Sequence, residues 1–130
     1  MLKFREDVVV GSFKVDRNIT EYDIETVIVN ALEGGSNYWV GVDNTTPEWS
    51  NRPKEIPIST WVAKLLIDGE TVTLYDIEDK TEFKLTLDKL IKGFELNAKH
   101  RPFDSDLENG DGITADCILQ YALFNEIVYG

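Results

Sequence analysis

The sequence predicts an α+β fold, with a small antiparallel sheet and three to four helices packed on one face in a single domain. A length of 130 residues is typical of one domain and is enough to bury a hydrophobic core. Apolar residues make up 42% of the chain and charged residues 28%, which is ordinary for a globular protein. The predicted order of elements is strand, helix, strand, helix, hairpin, helix, helix and strand, which we interpret as an α+β fold.

The first third of the chain is predicted to form a strand, a helix and a second strand. Residues 7–15 (DVVVGSFKV) are rich in valine and phenylalanine, which favours a strand. Thr20 is a good N-cap for the helix that follows, and acidic residues in its first turn complement the helix dipole. Gly34 and Gly35 predict a left-handed end to this helix, and residues 36–42 predict a short strand. The apolar face of the helix consists of Ile24, Val27, Ile28, Ala31 and Leu32.

The middle of the chain contains its longest predicted loop, residues 43–55, which is polar and holds two prolines. A loop of this length in a small domain is often a binding or lid element. Residues 59–67 fit either a helix capped by Ser59 or a strand. Residues 70–76 and 81–85 are predicted to pair as a hairpin around a polar turn.

The last third is predicted to contain two helices and a closing strand. Thr86 is expected to cap a helix that extends to about residue 99. Gly93 lies in the middle of this helix, where glycine is mildly unfavourable, and it predicts close packing against another element. A final helix is expected over residues 114–124, followed by a strand over residues 127–129.

Residue counts exclude several classes of site. One cysteine, Cys117, cannot form an intrachain disulfide, and with one histidine, His100, the chain cannot build an ordinary Cys/His zinc site. Cys117 lies in an apolar periodic run, which favours a buried core residue over a nucleophile. The acidic segment 104–111 lacks the glycine and the glutamate that an EF-hand loop needs at its positions 6 and 12, so no metal site is predicted.

The sequence predicts neither a signal peptide nor a membrane span. Charged residues interrupt the beginning of the sequence before any long apolar run, so no signal peptide is expected. No apolar stretch approaches the roughly 20 residues that a membrane span needs. The sequence therefore predicts a cytoplasmic protein.

The charge distribution is the most informative feature of the composition. The net charge of −11 disfavours direct binding to nucleic acids or anionic membranes. Residues 80–101 nevertheless carry a net charge of +3, whereas the other 108 residues carry −14. Two interpretations of this basic segment are open: its cations complement the negative end of a helix, or they bind the phosphate of a small molecule. Lys99 and Arg101 are the candidates for phosphate binding.

A second candidate corner follows Gly34 and Gly35. Asn37, Tyr38 and Trp39 offer an amide and two rings, as a pocket for a nucleobase would. The alternative is that the two rings pack in the core. No nucleophile motif and no pair of catalytic carboxylates stands out, so the sequence favours a protein that is not an enzyme and that uses no cofactor.

Three segments of the chain resemble a family of small proteins encoded by phages and prophages of Gram-positive bacteria. The segments are ALEGGSNYW (residues 31–39), LTLDKLIKG (residues 85–93) and ADCILQYALFNEIVYG (residues 115–130). The functional type that this resemblance suggests is the anti-Thoeris sponge. Such proteins sequester cyclic ADP-ribose isomers without cleaving them, and they assemble as dimers or larger oligomers.

The resemblance implies a pocket for a pyrophosphate, two riboses and an adenine. Arginine and lysine suit phosphate oxygens, aromatic rings suit adenine, and amides suit ribose hydroxyls. The residues of these types with a suitable local context are Arg101, Lys99 and Arg52 for phosphate, Trp39, Tyr38, Phe103 and Trp49 for stacking, and Asn37 and Asn97 for hydroxyls.

The sequence also suggests an alternative function and a homo-oligomeric assembly. The alternative function is that of an acidic phage inhibitor of a host defence protein, which acts by protein–protein contact or by mimicry of a nucleic acid. The apolar closing segment, residues 122–129, either inserts into the sheet of its own chain or pairs with another subunit. A homo-oligomer is therefore expected.

Overall fold

The computed structural model describes residues 2–102 and 111–130, and it confirms the predicted α+β class and antiparallel sheet. The helices are α1 (Glu21–Asn30), α2 (Ile58–Ile67), α3 (Leu87–His100) and α4 (Gly112–Phe124), and the strands are β1 (Val40–Val42), β2 (Val72–Asp76) and β3 (Glu82–Leu85). A π-helical turn, Ala31–Gly35, continues α1, and a 3-10 turn, Pro47–Asn51, lies between β1 and α2. None of the helices in these residues is long and apolar enough to cross a lipid bilayer.

The three strands form one sheet in the order β1-β2-β3, and both pairs are antiparallel. The predicted hairpin is confirmed: Leu74 of β2 faces Phe83 of β3 in its register. Residues from all four helices and the sheet share one hydrophobic core, in which Ile28, Leu66, Leu74, Leu90 and Ile118 are among the fully buried side chains.

The predicted start of α1 is confirmed, but its predicted end is wrong. Thr20 Oγ1 accepts a hydrogen bond from Asp23 N at 3.2 Å, and Thr20 N donates to the Asp23 carboxylate at 2.9 Å. Neither Gly34 nor Gly35 has a positive φ angle, so neither provides a left-handed cap. Instead the helix widens into the π-helical turn, which brings Gly35 against the backbone of Gly112 at the start of α4.

The ambiguous segment 59–67 lies in α2, which is a helix. The expected cap by Ser59 is wrong, because α2 begins at Ile58 behind Pro57 and has no side-chain cap. The Ser59 hydroxyl is buried and donates to Glu33 Oε1 at 3.0 Å, so it ties α2 to the π-helical turn.

The predicted close packing at Gly93 is confirmed by the contact between α3 and α4. A Cβ atom at this position would lie 2.4 Å from the carbonyl oxygen of Ile118. Because the obstructing atom belongs to the backbone, only glycine allows the two helices to approach this closely. This approach places the buried face of α3, which includes Asn97, against α4.

The predicted first strand is wrong. Residues 2–18, which we call the N-terminal arm, form neither a helix nor a strand and are exposed throughout. Strand patterning is present, but a strand also needs a neighbour to accept and donate its backbone hydrogen bonds, and none of β1, β2 and β3 pairs with the arm. The exposed large apolar side chains of the arm are Leu2, Phe4, Val8, Val9, Val10, Phe13 and Val15.

The predicted closing strand at residues 127–129 is also wrong. The buried side chain of Gln120 takes the place of a neighbouring strand: its Oε1 accepts from Val128 N at 2.8 Å and from Tyr129 N at 2.7 Å. Its Nε2 donates to the Tyr129 carbonyl at 3.1 Å. The backbone of the C-terminal segment is therefore bound by one side chain of α4 and does not pair with a strand of the sheet.

Candidate functional site

A groove of about 620 Å³ lies between the base of the N-terminal arm and the helices α3 and α4. We call it the arm groove. Phe94 and Ile118 form a buried apolar floor, and Ile91 contributes a half-exposed apolar wall. Small-molecule sites in proteins have this range of volumes and this combination of apolar walls with a few polar groups.

Asn97 is the polar group in this groove that no intramolecular contact explains. Its side chain is only 1% exposed, yet its Oδ1 atom has no hydrogen-bond partner among the residues that the structure describes. A buried acceptor left in this state costs about 1–3 kcal/mol. A ligand whose N–H or O–H donor reached this atom would remove that cost, which makes Asn97 the candidate polar contact of the arm groove.

Charged side chains surround the mouth of the arm groove. Lys14 and Arg17 come from the base of the arm, and Asp16 and Glu95 supply carboxylates. Glu95 is exposed and lies 3.3 Å from Lys92 in a surface ion pair. The two cations suit phosphate oxygens, and the carboxylates suit hydroxyl donors.

The predicted aromatic corner is a structural network in which Asp116 accepts four hydrogen bonds. The Asp116 carboxylate is buried, and it accepts from Ser36 Oγ and Trp39 Nε1 at 2.8 Å, from the Tyr38 hydroxyl at 2.9 Å and from Gln120 Nε2 at 3.1 Å. Burial and the nearby Asp116 carboxylate raise the pKa of Tyr38 to about 12. The network connects the end of the π-helical turn to α4.

The three predicted residues of this corner therefore do not share one binding site. Trp39 is buried, and its ring stacks on Tyr129 with 4.4 Å between the ring centroids, so that face is already covered. Asn37 is exposed on the turn before β1. Tyr38 is half exposed, with its hydroxyl held by Asp116.

The predicted phosphate ligands are also separated from one another. Arg52 is half-buried, and its Nη1 donates to the carbonyl of Ile56 at 2.6 Å, which closes the loop before α2. Lys99 is exposed in the last turn of α3 and does not line the arm groove. Arg101 is half-buried at the end of α3, where its guanidinium contacts Cys117 Sγ.

Some predictions fall elsewhere in the chain. Phe103 and the acidic segment 104–110 lie outside the described residues. Trp49 is buried in the core and is not a free stacking face. Among the predicted site residues that the structure describes, Asn97 is thus the one that lines the arm groove.

Lys14 and Arg17 line the arm groove but were not predicted as ligand contacts. Lys14 belongs to residues 7–15, whose valines and phenylalanine predicted a strand, and Arg17 follows that segment. The signal that could have indicated them is the local charge. Residues 2–18 carry four basic and three acidic side chains, whereas the rest of the sequence carries nine basic and 21 acidic side chains.

A second buried carboxylate fixes the C-terminal segment. Asp76 Oδ1 accepts from Glu78 N at 2.7 Å and from Asp79 N at 3.1 Å, and Asp76 Oδ2 accepts from the Tyr129 hydroxyl at 2.5 Å. The hydrogen bond from Tyr129, together with the two backbone donors, lowers the pKa of Asp76. The same bond, with burial, raises the pKa of Tyr129 to about 12.

Replacing Tyr129 with phenylalanine is expected to lower stability at neutral pH and to alter its dependence on alkaline pH. A tyrosine whose pKa is raised in the folded state stabilises the fold fully below the ordinary pKa of about 10. This contribution is lost as pH rises from about 10 through about 12. The free energies of unfolding of wild type and Tyr129→Phe should therefore converge over that window, measured by urea unfolding at several pH values. A constant difference between them would contradict the prediction.

The comparisons with known proteins identify no relative. No family model, no curated protein and no solved structure matches the chain. The resemblance to phage-encoded proteins therefore stays a prediction.

Proposed function

We propose that this protein binds a small adenine nucleotide in the arm groove, and that the nucleotide is a cyclic ADP-ribose isomer that the protein holds without cleaving it. The unpartnered Oδ1 atom of Asn97 carries the proposal. An asparagine amide pairs with adenine in two ways at once, because its oxygen accepts from N6–H and its NH₂ donates to N7. Asn97 thus has an acceptor that lacks a donor, and its amide is of the type that pairs with this base.

The rest of the groove supports the same ligand class. Phe94, Ile91 and Ile118 provide apolar surface for a purine ring. Arg17 and Lys14 lie at the mouth, where they would contact phosphate oxygens while these remain partly hydrated. The function expected from the resemblance, sequestration of a phage-sensing signal in the bacterial cytoplasm, needs no further chemistry from the protein.

Replacing Asn97 with leucine is expected to weaken binding of a cyclic ADP-ribose isomer by about 10- to 100-fold, the size of one bidentate base contact. The free energy of unfolding should stay the same or rise, because the substitution removes a buried acceptor that has no partner. Isothermal titration calorimetry and urea unfolding measure the two quantities. Loss of a ligand contact lowers the affinity without lowering the free energy of unfolding, whereas general damage to the fold lowers both.

The matched control is Lys99→Ala, which removes a cation from the same helix outside the groove and should leave the affinity unchanged. Arg17→Ala should weaken binding, and a guanine nucleotide should bind more weakly than its adenine counterpart. Chromatography of the released ligand tests whether it is recovered intact. An affinity of Asn97→Leu equal to that of the wild type would refute the assignment of the site to the arm groove. If the wild-type protein binds no adenine nucleotide, the proposed function is refuted.

A second candidate function is inhibition of a basic host protein by direct contact. Tyr22 favours it, because this ring is largely exposed between the exposed carboxylates Glu21 and Glu25 on α1. Tyrosine is enriched among the residues that dominate binding energy at protein interfaces. Such a complex should weaken steeply as ionic strength rises, whereas binding of the nucleotide through Asn97 should change less.

A further inference from the structure

The N-terminal arm exposes more apolar surface than any other described part of the chain. Its seven large apolar side chains range from 49% to 97% exposed, and they occur within 14 consecutive residues. Contiguous apolar surface of this kind marks a site of interaction. The arm also leaves the backbone groups of a strand-like sequence without a neighbouring strand in the chain's own sheet.

The arm has one strongly apolar face when it is extended as a strand. Val9, Phe13 and Val15 lie on the same side because side chains alternate with a period of two. Val8 and Val10 lie on the opposite side together with Ser12 and Lys14. The face with Phe13 carries no polar side chain and is suited to a core, whereas Ser12 and Lys14 on the other face tolerate water.

The sheet offers a complementary edge at β3. In the register of the hairpin, Phe83 and Leu85 point towards the core, and Glu82 and Lys84 lie exposed on the other side. Phe83 packs against Trp39 and Phe124, with ring centroids 6.2 and 5.1 Å apart. A strand added beside β3 would place its own apolar face next to this aromatic cluster. The opposite edge, β1, is shorter and more buried.

Charge favours a second copy of this chain as the occupant of that edge. Residues 2–18 carry a net charge of +1, and residues 19–130 carry −12. The arm can therefore approach this acidic molecule without like-charge repulsion. Lys14 on the outer face of the arm is complementary to Glu82 on the outer face of β3.

We propose that residues 8–15 of one copy add to the exposed edge of β3 in a second copy as a fourth strand. Addition of a strand to a free sheet edge supplies main-chain hydrogen bonds, and the alternate side chains supply specificity. A reciprocal exchange of two arms about a two-fold axis doubles the buried surface and leaves no arm free. This proposal does not rest on the nucleotide, although Lys14 and Val15 belong both to the added strand and to the lining of the arm groove.

Replacing Phe13 with aspartate is expected to weaken the dimer at least about 10-fold, because it puts a charge on the face that enters the apolar cluster. Phe13 is 90% exposed in the single chain, so its replacement should leave the circular dichroism and the unfolding midpoint of the monomer unchanged. Analytical ultracentrifugation over a range of concentrations measures the dimer. Val10→Asp, on the opposite face and 97% exposed, is the matched control and should retain most of the dimer.

Cysteine pairing tests the partner strand directly, because the native Cys117 is buried. A chain carrying Ser12→Cys, mixed with a chain carrying Glu82→Cys or Lys84→Cys, should form a disulfide between the two chains under mild oxidation. Wild-type protein that sediments as a monomer at all concentrations would overturn the proposal. A dimer that survives Phe13→Asp, or that forms no such disulfide with either β3 position, would place the interface elsewhere and would also overturn it.

Discussion

Replacing Asp116 with alanine is expected to lower the free energy of unfolding by about 3–5 kcal/mol, since several buried donors lose their acceptor at once. Ser36 Oγ, Trp39 Nε1 and Gln120 Nε2 are buried and would remain without this partner. Each buried donor without a partner costs about 1–3 kcal/mol. Because domains are stable by only about 5–15 kcal/mol, this loss is a large share of the total.

The effect should also spread to the C-terminal segment. Gln120 is oriented by Asp116, and the same side chain binds the backbone of Val128 and Tyr129. Loss of Asp116 should therefore increase hydrogen exchange at residues 127–130 more than at β2. Exchange that is unchanged at these residues would show that Gln120 holds its position without Asp116.

Urea unfolding measures the loss, and two variants calibrate it. Asp116→Asn keeps one acceptor oxygen and the shape of the side chain, so it should cost less than Asp116→Ala. Asp88→Ala removes an exposed carboxylate from α3 and should change stability by about 0.5 kcal/mol or less. A loss below about 1 kcal/mol for Asp116→Ala would contradict the structural role assigned to this carboxylate.

Replacing Gly35 with alanine is expected to destabilise the protein by about 2–3 kcal/mol, which is at the upper end of the cost of overpacking. A Cβ atom at Gly35 would lie 1.9 Å from the carbonyl oxygen of Gly112. The obstructing group is backbone at the start of α4, so it cannot move aside as a flexible side chain could. Relief would require the π-helical turn and α4 to separate.

The neighbouring glycine provides a matched control. A Cβ atom at Gly34 meets nothing within 4 Å, and the φ angle of this residue is not positive. Gly34→Ala should therefore be neutral or stabilising by up to about 1 kcal/mol, as expected for alanine in a helix. Thermal and urea unfolding should show effects of opposite sign at these two positions. Equal effects would contradict the close approach of Gly35 to Gly112.

Local patterns predicted most of the elements of the fold. Thr20 and Thr86 were predicted as N-caps from residue type and spacing, and both cap their helices. The hairpin was predicted from alternation around a polar turn, and β2 and β3 form it. These signals depend on residues that are close in the sequence, so one segment contains all the information that they need.

The candidate site was predicted poorly because it is formed by residues that are distant from one another in the sequence. Residue types suggested nine ligand contacts, but among those that the structure describes only Asn97 lines the arm groove, together with Lys14 and Arg17. Trp39 was expected to stack on a ligand and instead stacks on Tyr129, which is 90 residues away in the sequence. Side-chain chemistry indicates what a residue can bind, but not which other residues lie beside it.

The sequence by itself determined the α+β class, the starts of α1 and α3, the hairpin and the close packing at Gly93, because local propensity and periodicity encode them. Only the tertiary structure showed that the two predicted terminal strands do not form. Residues 127–129 are held by Gln120, and residues 7–15 have no strand beside them within the sheet. A strand depends on a partner that is distant in the chain or belongs to another molecule, so its pattern shows a capacity to pair without showing where the partner is.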